Sequence, residues 1–188
     1  MTEQRKITER QLACLHEAGH FVLCWYFGFP PMTVTIGKTG HGITRSRKPI
    51  SVKPDQWRIC LMGGYAAETL AMPPEQFLAY SDGLWGALKL PDRADTKKVA
   101  MHCKSASEYN GAFIAAHFIL KHYEEQLSDA VCLLLTANRI RKADAESLYD
   151  RWKDADRSYY PAKEETDKAK RNVRTQLRKL EKQKGIKG

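Results

Sequence analysis

Near the start of the chain, apolar and small residues recur at alternating intervals of three and four: Leu12, Leu15, Gly19, Val22 and Tyr26. This spacing places them on one face of a helix. Thr8 and Gln11 form the pattern of a capping box at its start, and Gly28 can end it. The pattern therefore predicts one helix over residues 8–27.

Shorter alternating segments follow, at residues 32–36 and 43–45, with a glycine-containing loop between them. Alternation with β-branched residues is typical of strands, so the two segments predict a small hairpin. Such a strand can either bind an extended peptide by main-chain hydrogen bonds or simply cover the core. Under the first interpretation, the substrate-binding residues would be Gly42, Ile43 and Thr44.

The remaining apolar periodicity is helical. It predicts helices over residues 56–71 (with Asp55 as the N-cap), from about 92 to 107, and over residues 111–127, 128–138 and 142–153, with a long connection at 72–92. Two adjacent glycines, Gly63 and Gly64, predict tight packing of the first of these helices, and Gly19 predicts a close backbone approach. The fold class is therefore expected to be mainly α with a small β hairpin or sheet.

Charge is distributed unevenly along the 188 residues, which carry 31 Lys or Arg against 22 Asp or Glu. Residues 163–188 hold ten basic and four acidic residues, a net charge of +6. We therefore expect a domain at 1–155 and a basic, helical or flexible tail at 156–188 that is solvated or binds a partner. Nucleic-acid binding through this tail is the weaker alternative, because no aromatic residues alternate with its charges.

Five scattered cysteines form no C-x-x-C pair: Cys14, Cys24, Cys60, Cys103 and Cys132. This arrangement predicts reduced, mostly buried thiols rather than a disulfide framework or a structural zinc knuckle. The first ten residues contain no apolar signal core, and no apolar run approaches the length of a membrane span. We therefore expect a cytoplasmic protein without a membrane segment.

The segment His16-Glu17-Ala18-Gly19-His20 has the H-E-x-x-H pattern. On a helix, His16 and His20 lie one turn apart on the same face and can bind one metal ion, with Glu17 beside them as a general base. The pattern arises by chance in roughly one chain in a hundred of this composition, and the alternative is a helix that buries two histidines. The other histidines, His41, His102, His117 and His122, are expected to be core or surface residues.

The order of four segments resembles the peptidase domain of the FtsH family, the M41 metallopeptidases. They are the H-E-x-x-H helix, the strands at 33–36 and 42–44, Gly63-Gly64-Tyr65-Ala66-Ala67-Glu68, and the segment from Ala94 to Ala100. The resemblance covers about residues 8–150. It implies a mainly helical peptidase domain, zinc held by His16, His20 and Asp95, and catalysis by Glu17. Glu68 would then support the site rather than bind the metal.

Two positions depart from the family pattern, since Tyr65 replaces an arginine and Ala94 an asparagine. No Walker-type glycine loop is found either. The expected function is therefore an ATP-independent zinc metalloendopeptidase acting on accessible protein or peptide segments, with a homo-oligomer or an ATPase in trans left open as partners. The alternatives are a catalytically idle, peptidase-like partner-binding protein and a basic nucleic-acid-associated protein.

Overall fold

The computed structural model describes residues 7–30, 32–38, 42–45, 52–71, 98, 101–165, 167–168, 171 and 175. The elements in chain order are α1 (Glu9–Tyr26), β1 (Thr33–Ile36), β2 (Gly42–Arg45), α2 (Pro54–Leu61), α3 (Gly63–Leu70), α4 (Ala106–His122), α5 (Glu124–Ala137), β3 (Arg139–Ile140) and α6 (Lys142–Arg151). The predicted fold class, mainly helical with a small sheet, is confirmed. Across the described ranges, no helix combines the length and the apolar character needed to cross a bilayer.

Helix α1 is the central element of the core. It begins with the predicted capping box, in which Thr8 Oγ1 accepts the Gln11 N–H and the Thr8 N–H donates to Gln11 Oε1 at 2.9 Å. From Glu17 to Tyr26 every residue is buried. The helix ends where predicted, with Gly28 at a φ of 73° that favours glycine.

The sheet is antiparallel, with the strand order β2-β1-β3. Val34 of β1 lies opposite both Thr44 of β2 and Ile140 of β3, so the predicted hairpin is confirmed. Strand β3 was not predicted, because two residues are too few to show alternation. It follows Asn138, whose left-handed backbone (φ 57°) ends α5 and whose carbonyl accepts the Ile36 N–H at 2.8 Å.

The predicted helix at 56–71 is wrong at its start and in its continuity. Helix α2 begins at Pro54, with Lys53 as the N-cap, so that Asp55 lies in the first turn rather than at the cap. Proline suits this first helical position, because a backbone N–H there would have no acceptor within the helix and proline has no N–H. At Met62 the helical segment divides into α2 and α3, directly before the two glycines.

Two further helix boundaries also differ from the predictions. Residues 103–105 are not helical, so a helix from about 92 does not continue to 107. Ser105 instead caps α4, its Oγ accepting the Glu108 N–H at 3.2 Å. The boundary between the next two helices lies at Tyr123 rather than after residue 127, because Tyr123 leaves helical geometry.

Residues after α6 lie against α1. Arg157 donates to the Trp25 carbonyl at 3.0 Å and covers the Trp25 ring at 5.6 Å, and the Tyr26 hydroxyl donates to the Tyr159 carbonyl. Residues 163–165, 167–168, 171 and 175 of the basic tail are helical. The domain boundary at 155 stays a prediction, and the rest of the tail lies outside the described residues, as do residues 72–92.

Candidate metal centre

Two imidazoles of α1 converge in the middle of the helix. His16 and His20 lie one turn apart, and their Nε2 atoms are 3.2 Å from each other. The His20 residue is 8% exposed, and the His16 side chain is 12% exposed. The predicted pair therefore shares one face, with its two ring nitrogens directed at a common point.

Each ring donates its other nitrogen's proton to a fixed acceptor. His16 Nδ1 donates to Oε1 of Glu68 in α3 at 2.7 Å, and His20 Nδ1 donates to the carbonyl of Cys60 in α2 at 2.7 Å. A carboxylate and a carbonyl can only accept, so both protons belong on Nδ1. In the neutral rings, Nε2 then carries the lone pair on each side of the 3.2 Å separation.

Small residues let α3 approach α1 at this level. A Cβ built on Gly63 would lie 2.8 Å from the Gly19 carbonyl oxygen, and one on Gly19 would lie 2.7 Å from the Ala67 Cβ. Real Cβ atoms do not come so close to other atoms, so the crossing requires glycine at both positions. The tight packing predicted from these glycines is confirmed, and it brings Glu68 within reach of His16.

Gly64 and Tyr65 of α3 lie against the His16 ring. A Cβ at Gly64 would lie 2.2 Å from His16 Nε2, so the His16 ring occupies the place that a side chain at position 64 would need. The Tyr65 ring meets the His16 ring edge-on, with the centroids 5.2 Å apart. One side of His16 is therefore packed against an aromatic ring, while its Nε2 borders on glycine.

Glu17 is buried beside this pair, with 6% of its surface exposed. Its carboxylate reaches strand β2 instead of another helix. Thr44 Oγ1 donates a hydrogen bond to Oε2, and a Cβ at Gly42 would lie only 2.6 Å from the carboxyl carbon. Two of the three residues predicted to bind substrate, Gly42 and Thr44, therefore contact the predicted general base. Ile43, the third, is 57% exposed.

The geometry of the histidine pair fits a zinc ion. Nitrogen ligands lie 2.0–2.1 Å from zinc, so two of them in a tetrahedral site are about 3.3 Å apart. The Nε2 atoms of His16 and His20 are separated by 3.2 Å. Protonated Nδ1 atoms with acceptor partners are also the usual arrangement of histidine ligands, because they direct the basic nitrogen towards the metal.

The third predicted ligand, Asp95, lies outside the described residues, and so does His41. Within the described part of the chain, no group of three or more His, Cys, Asp or Glu side chains forms a metal-binding arrangement. As expected, the other histidines that the structure describes belong to the core or the surface. His117 lies in α4 with Nδ1 3.0 Å from the Thr69 hydroxyl, whereas His102 and His122 are exposed.

The Cys60 carbonyl was not predicted as a partner of the site. A main-chain acceptor carries no sequence signal, and Cys60 precedes the Gly63-Gly64 pair within a uniformly apolar segment. The contact of Thr44 with Glu17 was also missed, although its position in the strand was singled out. The five cysteines are all free thiols, and Cys14, Cys24 and Cys60 are buried, which agrees with the prediction.

Comparison of the chain with protein-family models and with curated protein sequences finds no match.

Proposed function

We propose that this protein is a zinc metalloendopeptidase, with an FtsH-type (M41-like) peptidase domain, that cleaves accessible protein or peptide segments without ATP. The observation that carries the proposal is the 3.2 Å separation of the Nε2 atoms of His16 and His20. Two neutral imidazoles directed at each other repel through their lone pairs, and a positive charge bound between them removes the repulsion. A zinc ion supplies that charge at the observed spacing.

His16, His20 and Asp95 would hold the zinc, which supplies Lewis-acid activation of a water molecule and of the substrate carbonyl when bound. Glu17 accepts a proton from the attacking water and passes it to the leaving amine. Its burial and its fixed partner Thr44 hold the carboxylate in one orientation beside the histidines. A partner-binding protein has no chemical need for a carboxylate held in this way.

The position of the sheet supports the proposal that the substrate is a polypeptide. Strand β2 lies at an edge of the described sheet, next to Glu17, and Ile43 exposes a large apolar side chain on it. An extended peptide can add to such an edge by main-chain hydrogen bonds, which places its carbonyls beside the base. Because these bonds use only backbone atoms, the proposed peptidase accepts many sequences.

The test combines metal analysis with cleavage of casein by the purified full chain, with and without a chelator. We expect one zinc per chain and chelator-sensitive cleavage. Glu17→Gln should keep the zinc and lose cleavage, because the amide cannot accept the proton. Asp95→Ala should bind zinc more weakly than the parent, since a ligand is lost.

Three outcomes would contradict parts of this assignment. A chain that takes up no zinc would overturn it, because a proton shared between His16 and His20 would then explain their approach. Zinc without cleavage would favour an idle, partner-binding protein. Unchanged zinc affinity in Asp95→Ala would show that another residue is the third ligand.

A further inference from the structure

We propose that Thr44 is a positioning residue for Glu17, so that the orientation of the general base is set by the substrate-binding strand rather than by its own helix. The proposal rests on the peptidase function argued above. Its structural basis is the hydrogen bond from Thr44 Oγ1 to Glu17 Oε2, which joins β2 to α1.

The strand presents its residues alternately to the two sides of the sheet. Gly42 and Thr44 are half-buried, whereas Ile43 and Arg45 are exposed. Since strand side chains alternate with a period of two, Gly42 and Thr44 share the side that faces Glu17. The Thr44 hydroxyl and Gly42 therefore both contact the Glu17 carboxylate, from the same side of the sheet.

The two residues restrict different movements of that carboxylate. The Thr44 hydroxyl fixes Oε2, whereas a Cβ on Gly42 would lie 2.5 Å from Oε1 and 2.6 Å from the carboxyl carbon. The Gly42 backbone therefore forms a wall against the other oxygen. An ionised carboxylate only accepts hydrogen bonds, so the O–H of Thr44 suits it and a valine methyl does not.

The position of β2 gives this contact a consequence for substrate binding. Thr44 is paired with Val34 of β1 on one side, and on the other side β2 forms the edge of the sheet as far as the described residues show it, where a peptide would add. The residue that orients the base thus belongs to the strand that would hold the substrate. A peptide that is aligned along β2 is therefore also aligned with the two carboxylate oxygens of Glu17.

The first experiment measures peptidase kinetics of Thr44→Val, Thr44→Ser and the matched control Thr35→Val. Thr35 is an exposed threonine of the neighbouring strand β1. We expect kcat of Thr44→Val to fall about a hundredfold with KM nearly unchanged, since misplacing a catalytic group by about 1 Å has this effect. Serine keeps the hydroxyl and should restore kcat to within a few-fold, and Thr35→Val should match the wild type.

The second experiment needs neither metal nor activity. A double-mutant cycle of Thr44→Val and Glu17→Ala, followed by urea unfolding of the metal-free protein, measures whether the two side chains interact. We expect a coupling of about tenfold in the unfolding equilibrium constant, typical of a hydrogen bond to a charged group.

The outcomes separate this inference from the peptidase proposal. Additive effects in the cycle, or a Thr44→Val enzyme that loses activity through KM alone, would overturn the positioning role. Failure of Thr44→Ser to restore kcat would also overturn it. A wild-type chain that binds zinc and cleaves nothing would instead overturn the peptidase function, whatever the cycle shows.

Discussion

At the scale of single residues, the two histidines are supported unequally. His20 donates to a backbone carbonyl, whereas His16 donates to the Glu68 carboxylate, which is 3% exposed. A buried carboxylate makes the bonded imidazole a stronger base and a better metal ligand. At the proposed zinc site, the charge of Glu68 would therefore contribute to zinc affinity without contacting the metal.

We expect Glu68→Gln to weaken zinc binding ten- to a hundredfold, because the amide still accepts the His16 proton but carries no charge. Competition with a chromophoric zinc chelator measures the effect. Glu146→Gln is the matched control, since Glu146 is 54% exposed and pairs only with Lys142 in the described contacts. Equal affinities for Glu68→Gln and the control would show that the hydrogen bond to His16 contributes nothing to metal binding.

At the scale of secondary-structure elements, the crossing of α1 and α3 determines the position of the site. Alanine normally stabilises a helix interior by about 1 kcal/mol relative to glycine. At Gly19 this gain is outweighed, because the added Cβ would lie 2.7 Å from Ala67 Cβ and 2.8 Å from the Gly63 carbonyl carbon. At Gly111 in α4, nothing lies within 4 Å of the added atom.

The two glycines therefore predict opposite effects of the same substitution. Gly19→Ala should destabilise the protein by about 1–3 kcal/mol through overpacking, and Gly111→Ala should stabilise it by up to about 1 kcal/mol. Urea unfolding of both variants gives the two free energies. If Gly19→Ala were as stable as Gly111→Ala, α1 and α3 could not cross as closely as described.

Sequence patterns predicted the elements that carry a strong local signal and missed those defined by partners. The capping box at Thr8 and the glycine at position 28 correctly bounded α1. Strand β3 exists only because residues 139–140 pair with β1, and Met62, where α2 ends and α3 begins, lies in a continuous apolar segment. The histidine pair was predictable from helical spacing, but the acceptors of its protons come from segments about 40 and 50 residues away.

At the scale of the whole molecule, His117 links the stability of the fold to pH. Removal from solvent lowers the pKa of His117 from 6.5 to about 4, and the charge of Lys121 adds to this effect. Between pH 4 and pH 6.5, His117 therefore binds a proton in the unfolded chain but not in the folded protein. The contribution of His117 to stability is therefore fully present above pH 6.5 and is lost as the pH decreases towards 4, which amounts to about 3 kcal/mol.

We expect His117→Gln to remove this part of the acid sensitivity, because glutamine does not titrate and can still donate to Thr69. Urea unfolding at pH 7 and at pH 4.5 measures it as the difference in unfolding free energy between the two conditions. That difference should be smaller in the variant than in the wild type. The same pH dependence in both proteins would show that His117 does not exclude a proton in the folded state.

The Cys60 carbonyl that holds His20 has a consequence for how the protein tolerates sequence change. A side-chain substitution at position 60 alters the packing of α2 but leaves the main-chain oxygen, and therefore the acceptor, in the chain. The acceptor of His16 is a side chain, which one nucleotide change in the codon for residue 68 can eliminate. A point mutation can thus remove the hydrogen-bond acceptor of His16 much more easily than that of His20.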